Sequence, residues 1–496
     1  MRIKSLLYVK WKRSFTKIDK HGNLEFYDIY KKYRKELKSI IKQAKRKYYS
    51  TKFDRVSGIM KKTWALINEL RGKTKNRIKS CFKVDGNLVN SKRDIANGFN
   101  QYFSSIAHKM NVKVKSSQPV NVSFDTNNNF RDFLSKQKRI HSNIFLYQCS
   151  SEDISKIIMD FEVDKASDIS VKVLKRIAPY ISEHLSGFIN NFMLLGIFPK
   201  LLKIGKISPI YKKDDAQQFD NYRPISVLPI FGKIFEKILY DRLYTFFTSK
   251  SVIHSKQFGF RKCHSTGHAI NYSINKIINE LQKRNHVIGL FIDLSKAFDT
   301  IDHEKLLIKL EYYGIRGICL KLMKSYLTDR QQYTEFNRTN SDLCSIKYGV
   351  PQGSVLGPLL FLIYINDLIN TSISDDDEFV LFADDTNIFV VGKDEDTVYQ
   401  NAQTLLNNID NYMYSNQLHI NYKKSVYIHF RPYLNHNERQ TCARTRFRKS
   451  LRIAEHTLKC VTEVKFLGII VHENLSWEPQ INYLKQKLLS SIVVIK

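Results

Sequence analysis

Acidic residues are the minority in this 496-residue sequence: 47 Asp+Glu stand against 80 Lys+Arg, a formal net charge of +33. A soluble chain this basic repels itself unless it meets a polyanion, and nucleic acid is the commonest one. Long apolar runs are missing as well. The longest lies around Leu359–Ile365, well short of the roughly 20 residues that cross a bilayer, so neither a transmembrane helix nor a membrane partner is expected. The N-terminal MRIKSLLYVKWKR lacks the apolar core of a secretory signal, which directs expectation to the nucleus or cytoplasm. Cysteine is sparse: seven, an odd number, scattered without a Cys-x-x-Cys pair. That argues against a disulfide framework and suits free thiols in a reducing compartment. The spacings of Cys442, His456, Cys460 and His472 are too irregular for a zinc site. Neither a repeat of solenoid period nor a sustained low-complexity tract occurs.

What is present suffices for a core: 43% of residues are hydrophobic and 12% aromatic, and the length predicts two or more domains. The positive charge is concentrated, since residues 1–80 hold 25 Lys+Arg against 6 Asp+Glu. In KKYRKELKSIIKQAKRKYY the residues Tyr33, Leu37, Ile40, Ile41, Ala44 and Tyr48 recur at the spacing of an amphipathic helix, and Met60, Trp64, Ile67 and Leu70 repeat it. Helices packed with a solvated basic face, a nucleic-acid-facing arm and an import signal in KQAKRK all satisfy this stretch. Residues 111–130, rich in Asn and Ser, read as a linker or exposed loop.

Three segments carry chemistry. In HVIGLFIDLSKAFDTIDHEKLLIKLEYYGI, Val287–Ile292 is an apolar run of strand length ending in Asp293, and Leu306, Leu307, Leu310 and Tyr313 form a helical stripe that stops at Gly314. Asp293 thus ends a buried strand, where a ligand-binding carboxylate and a helix cap are both at home. In EFVLFADDTNIFVV two strand-like runs flank Asp384 and Asp385, which predicts a β-hairpin with two carboxylates at or beside its tip. Turn chemistry alone accounts for an isolated Asp-Asp pair. Side by side, however, the two repel, and without a cation at least one pKa rises. Between these sites YGVPQGSVLGPLLFLIYINDL sets Gly349, Pro351 and Gly353 in a turn that opens an apolar helix. Gly353 admits close backbone approach, and Gln352 offers an amide to a base or sugar edge. Three carboxylates on neighbouring strands suit two Mg²⁺ ions about 3.5–4 Å apart, the arrangement of in-line nucleotidyl transfer. Oxygen ligands match such hard cations, with Mn²⁺ as a substitute. This chemistry and the basic charge agree on a polymerase.

Together and in chain order, NYRPISVLPIFGKIFEKIL, QFGFRKCHST, DLSKAFDTIDH, GVPQGSVLGPLLFLIYINDL, FADD and FLGIIVHENLSW resemble the reverse transcriptase of a non-LTR (LINE-type) retrotransposon, most similar to the jockey-like group, over roughly residues 150–480. The resemblance implies an α+β right-hand polymerase fold, with a reverse transcriptase domain over about 194–471. Fingers are expected over 150–256, a palm with an antiparallel sheet over 257–430, a primer-grip region over 431–472 and the start of a truncated helical thumb over 473–496. A basic helical region over 1–110 and a polar linker over 111–149 precede them.

By position, the resemblance makes Asp293, Asp384 and Asp385 the metal-binding carboxylates, with the Leu294 carbonyl as a further ligand. Phe298 becomes the aromatic gate against a ribose 2′-hydroxyl, so the implied substrates are dNTPs. Gln352 and Gly353 fall where the incoming nucleotide and template are contacted. Arg223 matches the cation on the triphosphate, with Lys212 or Lys213 as a second, since arginine clamps phosphate bidentately and lysine acts as a point charge. Arg261 is a lesser candidate, for the template strand or a structural ion pair. Lys424, with Lys423 as rival, matches the lysine that protonates the leaving pyrophosphate, and Phe466, Leu467 and Gly468 match the primer grip. The implied partners are an RNA template, a DNA primer and target DNA, with an endonuclease on a separate or missing segment. Two other readings stay open: a catalytically silent or domesticated RNA-binding fragment, and an RNA-dependent RNA polymerase. Against the latter stand Phe298 and Ala383, the latter in place of the glycine usual before that family's Asp pair.

Overall fold

A computed structural model of the protein describes residues 8–9, 22–70, 81–84, 87–116, 129–163, 167–212, 214–432 and 449–495. The chain divides into two compact units, Met1–Arg77 with Ile481–Lys496, and Ile78–Gln480. In the first, the two amphipathic patterns form the helices Gly22–Arg55 and Met60–Leu70, joined by an ion pair from Lys52 to Glu69 at 3.3 Å. Leu66 and Ile67 are buried there, whereas Met60 and Trp64 of the same expected stripe are exposed.

The larger unit is α+β. Its main sheet has five strands in the order Lys459–Cys460, Val426–Phe430, His286–Ile292, Asp385–Gly392 and Glu378–Phe382. All neighbours are antiparallel except the first pair. The central strand His286–Ile292 explains its own continuous apolar sequence. Ile288, Leu290 and Ile292 face one core, shared with the helices His303–Tyr312, Gly357–Ile365 and Glu395–Ser415. Val287 and Phe291 face a second core with Ala269 and Ile277 of the helix Thr266–Gln282 and with Phe466 and Val471. A strand covered on both faces has no position left for the polar half of an alternating pattern.

A second sheet runs Tyr222–Val227, Ile204–Tyr211, Arg330–Phe336 and Thr339–Asn340, with Cys344–Ile346 also paired to Arg330–Phe336. The strand Arg330–Phe336 thus leaves the interval 257–430 to join a sheet built from residues near 204–227.

Two boundaries differ from expectation. Residues 78–110 belong to the larger unit rather than to the basic region 1–110. Phe82, Ile95, Phe99, Phe103 and Ile106 pack with Phe219, Tyr222 and Phe336 of the second sheet, and this apolar face outweighs the polar composition around it. The stretch 111–149 is not a plain linker. The helix Lys92–Ser116 runs into it and Asn129–Ser135 forms another. Phe130, Leu134, Ile140 and Cys149 are buried, and Ile140 N–H donates to the Tyr312 carbonyl at 3.3 Å.

Candidate active site

The site is set by strand register. Thr386 pairs with Ile292, so the next positions outward, Asp385 and Asp293, face each other across the strand ends. Val426 pairs with Phe291 on the other side, which brings Lys424 level with Asp293. The contact follows: Lys424 Nζ lies 3.2 Å from Asp293 Oδ2. The Asp293 backbone is held on both sides, its N–H donating to Ser425 Oγ at 3.1 Å and its carbonyl accepting from Asn421 N–H at 2.8 Å. Leu294 is buried and bridges Ile420.

The expected hairpin is present, Glu378–Phe382 turning into Asp385–Gly392, with Ala383 and Asp384 at its tip. Burial, then Asp384 and Asp293, push the Asp385 carboxyl up to about 6 although its outer edge is open to solvent. Burial and Asp293 also raise Asp384. The three carboxylates therefore sit within electrostatic reach of one another, a repulsion that a hard divalent cation relieves. Among the described residues no group of three acidic, His or Cys side chains converges tightly enough to hold an ion as it stands. Asp293 is instead engaged by Lys424.

The cations expected nearby cluster as well. Lys212 is held below its ordinary pKa by burial and by Lys424 and Arg223, while Asp293 pulls it upward. Arg223 is exposed on the strand Tyr222–Val227, opposite Ile210. Lys213 lies outside the described residues. Phe298 stacks on Phe361 at 4.8 Å and meets Phe260 edge-on at 6.3 Å. Gln352 Nε2 donates to both carboxylate oxygens of Asp299, at 3.0 and 2.9 Å. Gly353 has φ +117°, and a Cβ there would meet the Ser226 carbonyl oxygen at 2.7 Å, so only glycine fits this turn against the second sheet. Phe466, buried, packs on Phe291 at 5.8 Å, and Leu467 and Gly468 form the positive-φ turn of the hairpin Glu463–His472.

Arg261 forms no ion pair among the described residues. Its guanidinium donates to the His254 and Gln257 carbonyls at 3.0 Å, which makes it a brace of its own loop. Of the cysteine and histidine grouping, Cys442 lies outside the described residues and His456 packs against Tyr422 in a tilted pair, ring centroids 4.2 Å apart.

Sequence reasoning missed the residues that hold the hairpin tip. Gln257 is buried and its Oε1 accepts from Gly259 N–H at 2.8 Å and Ala383 N–H at 3.2 Å, while Phe258 N–H donates to the Leu381 carbonyl at 2.8 Å. The brace supports Ala383 at φ +57°, a conformation that costs a non-glycine residue about 1 kcal/mol. The signal was QFGF itself: a Cβ on Gly259 would lie 2.2 Å from Ala383 N. A Gly259→Ala chain is therefore expected to lose about 1–3 kcal/mol of stability, because the backbone beneath Asp384 and Asp385 must shift to admit the methyl group. An unchanged melting temperature would contradict this.

Comparison with known proteins matches this arrangement. The sequence profile of the reverse transcriptase (RNA-dependent DNA polymerase) family covers residues 210–471, which include all three carboxylates, Gln352, Lys424 and all but the last residue of the Glu463–His472 hairpin. The RNA-directed DNA polymerase from mobile element jockey of Drosophila melanogaster is 27% identical over 344 residues, 68% of this chain and 36% of that protein. The probable RNA-directed DNA polymerase from transposon BS of the same organism is 32% identical over 192 residues, 37% of this chain and 20% of that protein. That from transposon X-element is 27% identical over 312 residues, 61% and 32% of the two chains. The matched regions thus span about a third or less of these relatives. Since the family profile takes in more than half of the sequence and every strand of the carboxylate-bearing sheet, the chain belongs to the reverse transcriptase (RNA-dependent DNA polymerase) family.

Proposed function

We propose that the chain is an RNA-directed DNA polymerase of a non-LTR retrotransposon, extending a DNA primer 3′-hydroxyl with dNTPs on an RNA template at target DNA. The observation that carries this reading is the row Asp385, Asp293 and Lys424 across three adjacent strand ends, with Asp384 at the hairpin tip beside it. In this reading the main sheet is the palm and the second sheet belongs to the fingers. The hairpin Glu463–His472 is the primer grip, and the helix Glu478–Ile495 begins a thumb.

Asp293, Asp384 and Asp385, with the Leu294 carbonyl, would hold two Mg²⁺ ions. Bound ions of this kind lower the pKa of the attacking hydroxyl and stabilise the charge of the triphosphate and leaving pyrophosphate. Lys424 would exchange its contact with Asp293 for one with the pyrophosphate and give it a proton. Arg223 and Lys212 would neutralise the triphosphate, with Lys213 the alternative for the second cation. Phe298, fixed by its stack on Phe361, would close the space a ribose 2′-hydroxyl needs.

RNA-templated primer extension by the purified chain tests this. Mg²⁺-dependent incorporation of dNTPs is expected, with rNTPs disfavoured by at least about a hundredfold and that preference falling in Phe298→Ala. Salt-dependent RNA binding without any incorporation would leave a binding protein instead.

A further inference from the structure

The Gln352 side chain is not free to choose which end of its amide it shows. Its Nε2 contacts both oxygens of Asp299. Burial pushes that carboxyl up to about 6, so at pH 8 it is ionised and can only accept. The amide must turn its N–H edge toward Asp299, which leaves Oε1 directed away from it.

The backbones are tied too. Val350 N–H donates to the Phe298 carbonyl at 2.9 Å, Gly349 N–H to the Ile301 carbonyl at 2.8 Å, and Ser226 N–H to the Gln352 carbonyl at 2.8 Å. His303 Nε2 lies 2.7 Å from the Gly349 carbonyl oxygen. The turn bearing Gln352 and the segment bearing Phe298 and Asp299 are thereby one braced body.

We infer that Asp299 is a positioning residue that orients Gln352 so that its amide oxygen accepts a hydrogen bond from the 3′-hydroxyl of the incoming deoxynucleotide. The inference rests on the polymerase reading, in which Phe298 lies at the 2′ side of the sugar. A deoxyribose beside that ring has one hydroxyl donor left, at C3′. Asp299 itself touches no substrate and acts through Gln352.

The test compares single-nucleotide incorporation of a dNTP and the matching 2′,3′-dideoxynucleotide by the full chain at pH 8 with Mg²⁺. Wild type is expected to prefer the dNTP by about tenfold or more in kcat/KM, the worth of one well-placed hydrogen bond. Asp299→Leu should raise KM for the dNTP about tenfold, leave the dideoxynucleotide within twofold, and so erase the preference. In a Gln352→Ala background the same substitution should change neither. Asp299→Asn, which accepts through only one atom, should reduce the preference a few-fold and carries the test if the leucine chain does not fold. A preference that survives both substitutions overturns the inference, as does an equal loss of kcat on both substrates, which a merely structural tie would produce. A wild-type chain that incorporates neither nucleotide fails at the polymerase reading and takes this inference with it, a result distinct from either of those.

Discussion

Replacing Lys309 with methionine is expected to cost about 3–5 kcal/mol of folding stability, the effect of stripping one partner from a buried ion pair. Lys309 Nζ lies 2.6 Å from both Asp367 Oδ1 and the Tyr364 carbonyl oxygen, and both charged side chains are 0% exposed. Tyr412 Oη donates to the same Asp367 oxygen at 2.8 Å. Without the ammonium, Asp367 keeps a carboxylate sealed in apolar surroundings, or must bind a proton to avoid it. Because domains are stable by only about 5–15 kcal/mol, the loss is a large fraction of the whole. The pair also joins the helix that follows Asp293, His303–Tyr312, to the turn Asn366–Thr371 that precedes the hairpin bearing Asp384 and Asp385. Urea denaturation of Lys309→Met and of the double variant Lys309→Met, Asp367→Leu measures it. The double variant should recover much of the loss, since no charge is left unpaired. A single variant within 1 kcal/mol of wild type would show that the interior accommodates the carboxylate by other means.

Asp385→Asn should separate activity from stability. Incorporation is expected to fall at least about a thousandfold, roughly 4 kcal/mol of barrier, because a neutral amide cannot supply the charge that holds a divalent ion. Stability should move the other way. The Asp385 carboxyl titrates at about 6 in the fold against an ordinary 3.8, so the folded state keeps a proton that the unfolded chain releases between about pH 4 and 6. Without added cation the wild-type chain therefore loses stability as pH rises through that window, and the asparagine variant does not. Melting curves should show the variant at or above wild type beyond pH 6, with the gap closing toward pH 4. Equal incorporation would remove Asp385 from the catalytic set. A variant that melts below wild type at pH 8 would mean that its carboxylate is stabilised by neighbours rather than strained by them.

Much of the site was legible because the chemistry sits on regular elements. An apolar run ending in Asp293 and two runs flanking Asp384 and Asp385 read as strands, and the structure has them as His286–Ile292, Glu378–Phe382 and Asp385–Gly392. The turn at Gly349–Gly353 and the helix Gly357–Ile365 were visible in the same way. The choice between Lys423 and Lys424 was not. Both precede the strand Val426–Phe430, and only its register against the central strand brings Lys424 to Asp293.

The supports of the site were hidden for a related reason. Lys309 in LLIKLEYY looks like the solvent edge of an amphipathic helix, Asp367 like a helix-end acid, and Gln257 like one polar residue in a loop. Each acquires its role from a partner far along the chain: Lys309 from Asp367, Gln257 from Ala383, Asp299 from Gln352. The sequence by itself determined the family, the strand and helix identities around the carboxylates, and the charge suited to a polyanion, all of which are local patterns of residue type and spacing. Only the tertiary structure decided which polar groups are buried together and which way the Gln352 amide points. Burial and hydrogen-bond partnership depend on distance in space, and that distance is set by strand register and helix packing rather than by position along the chain.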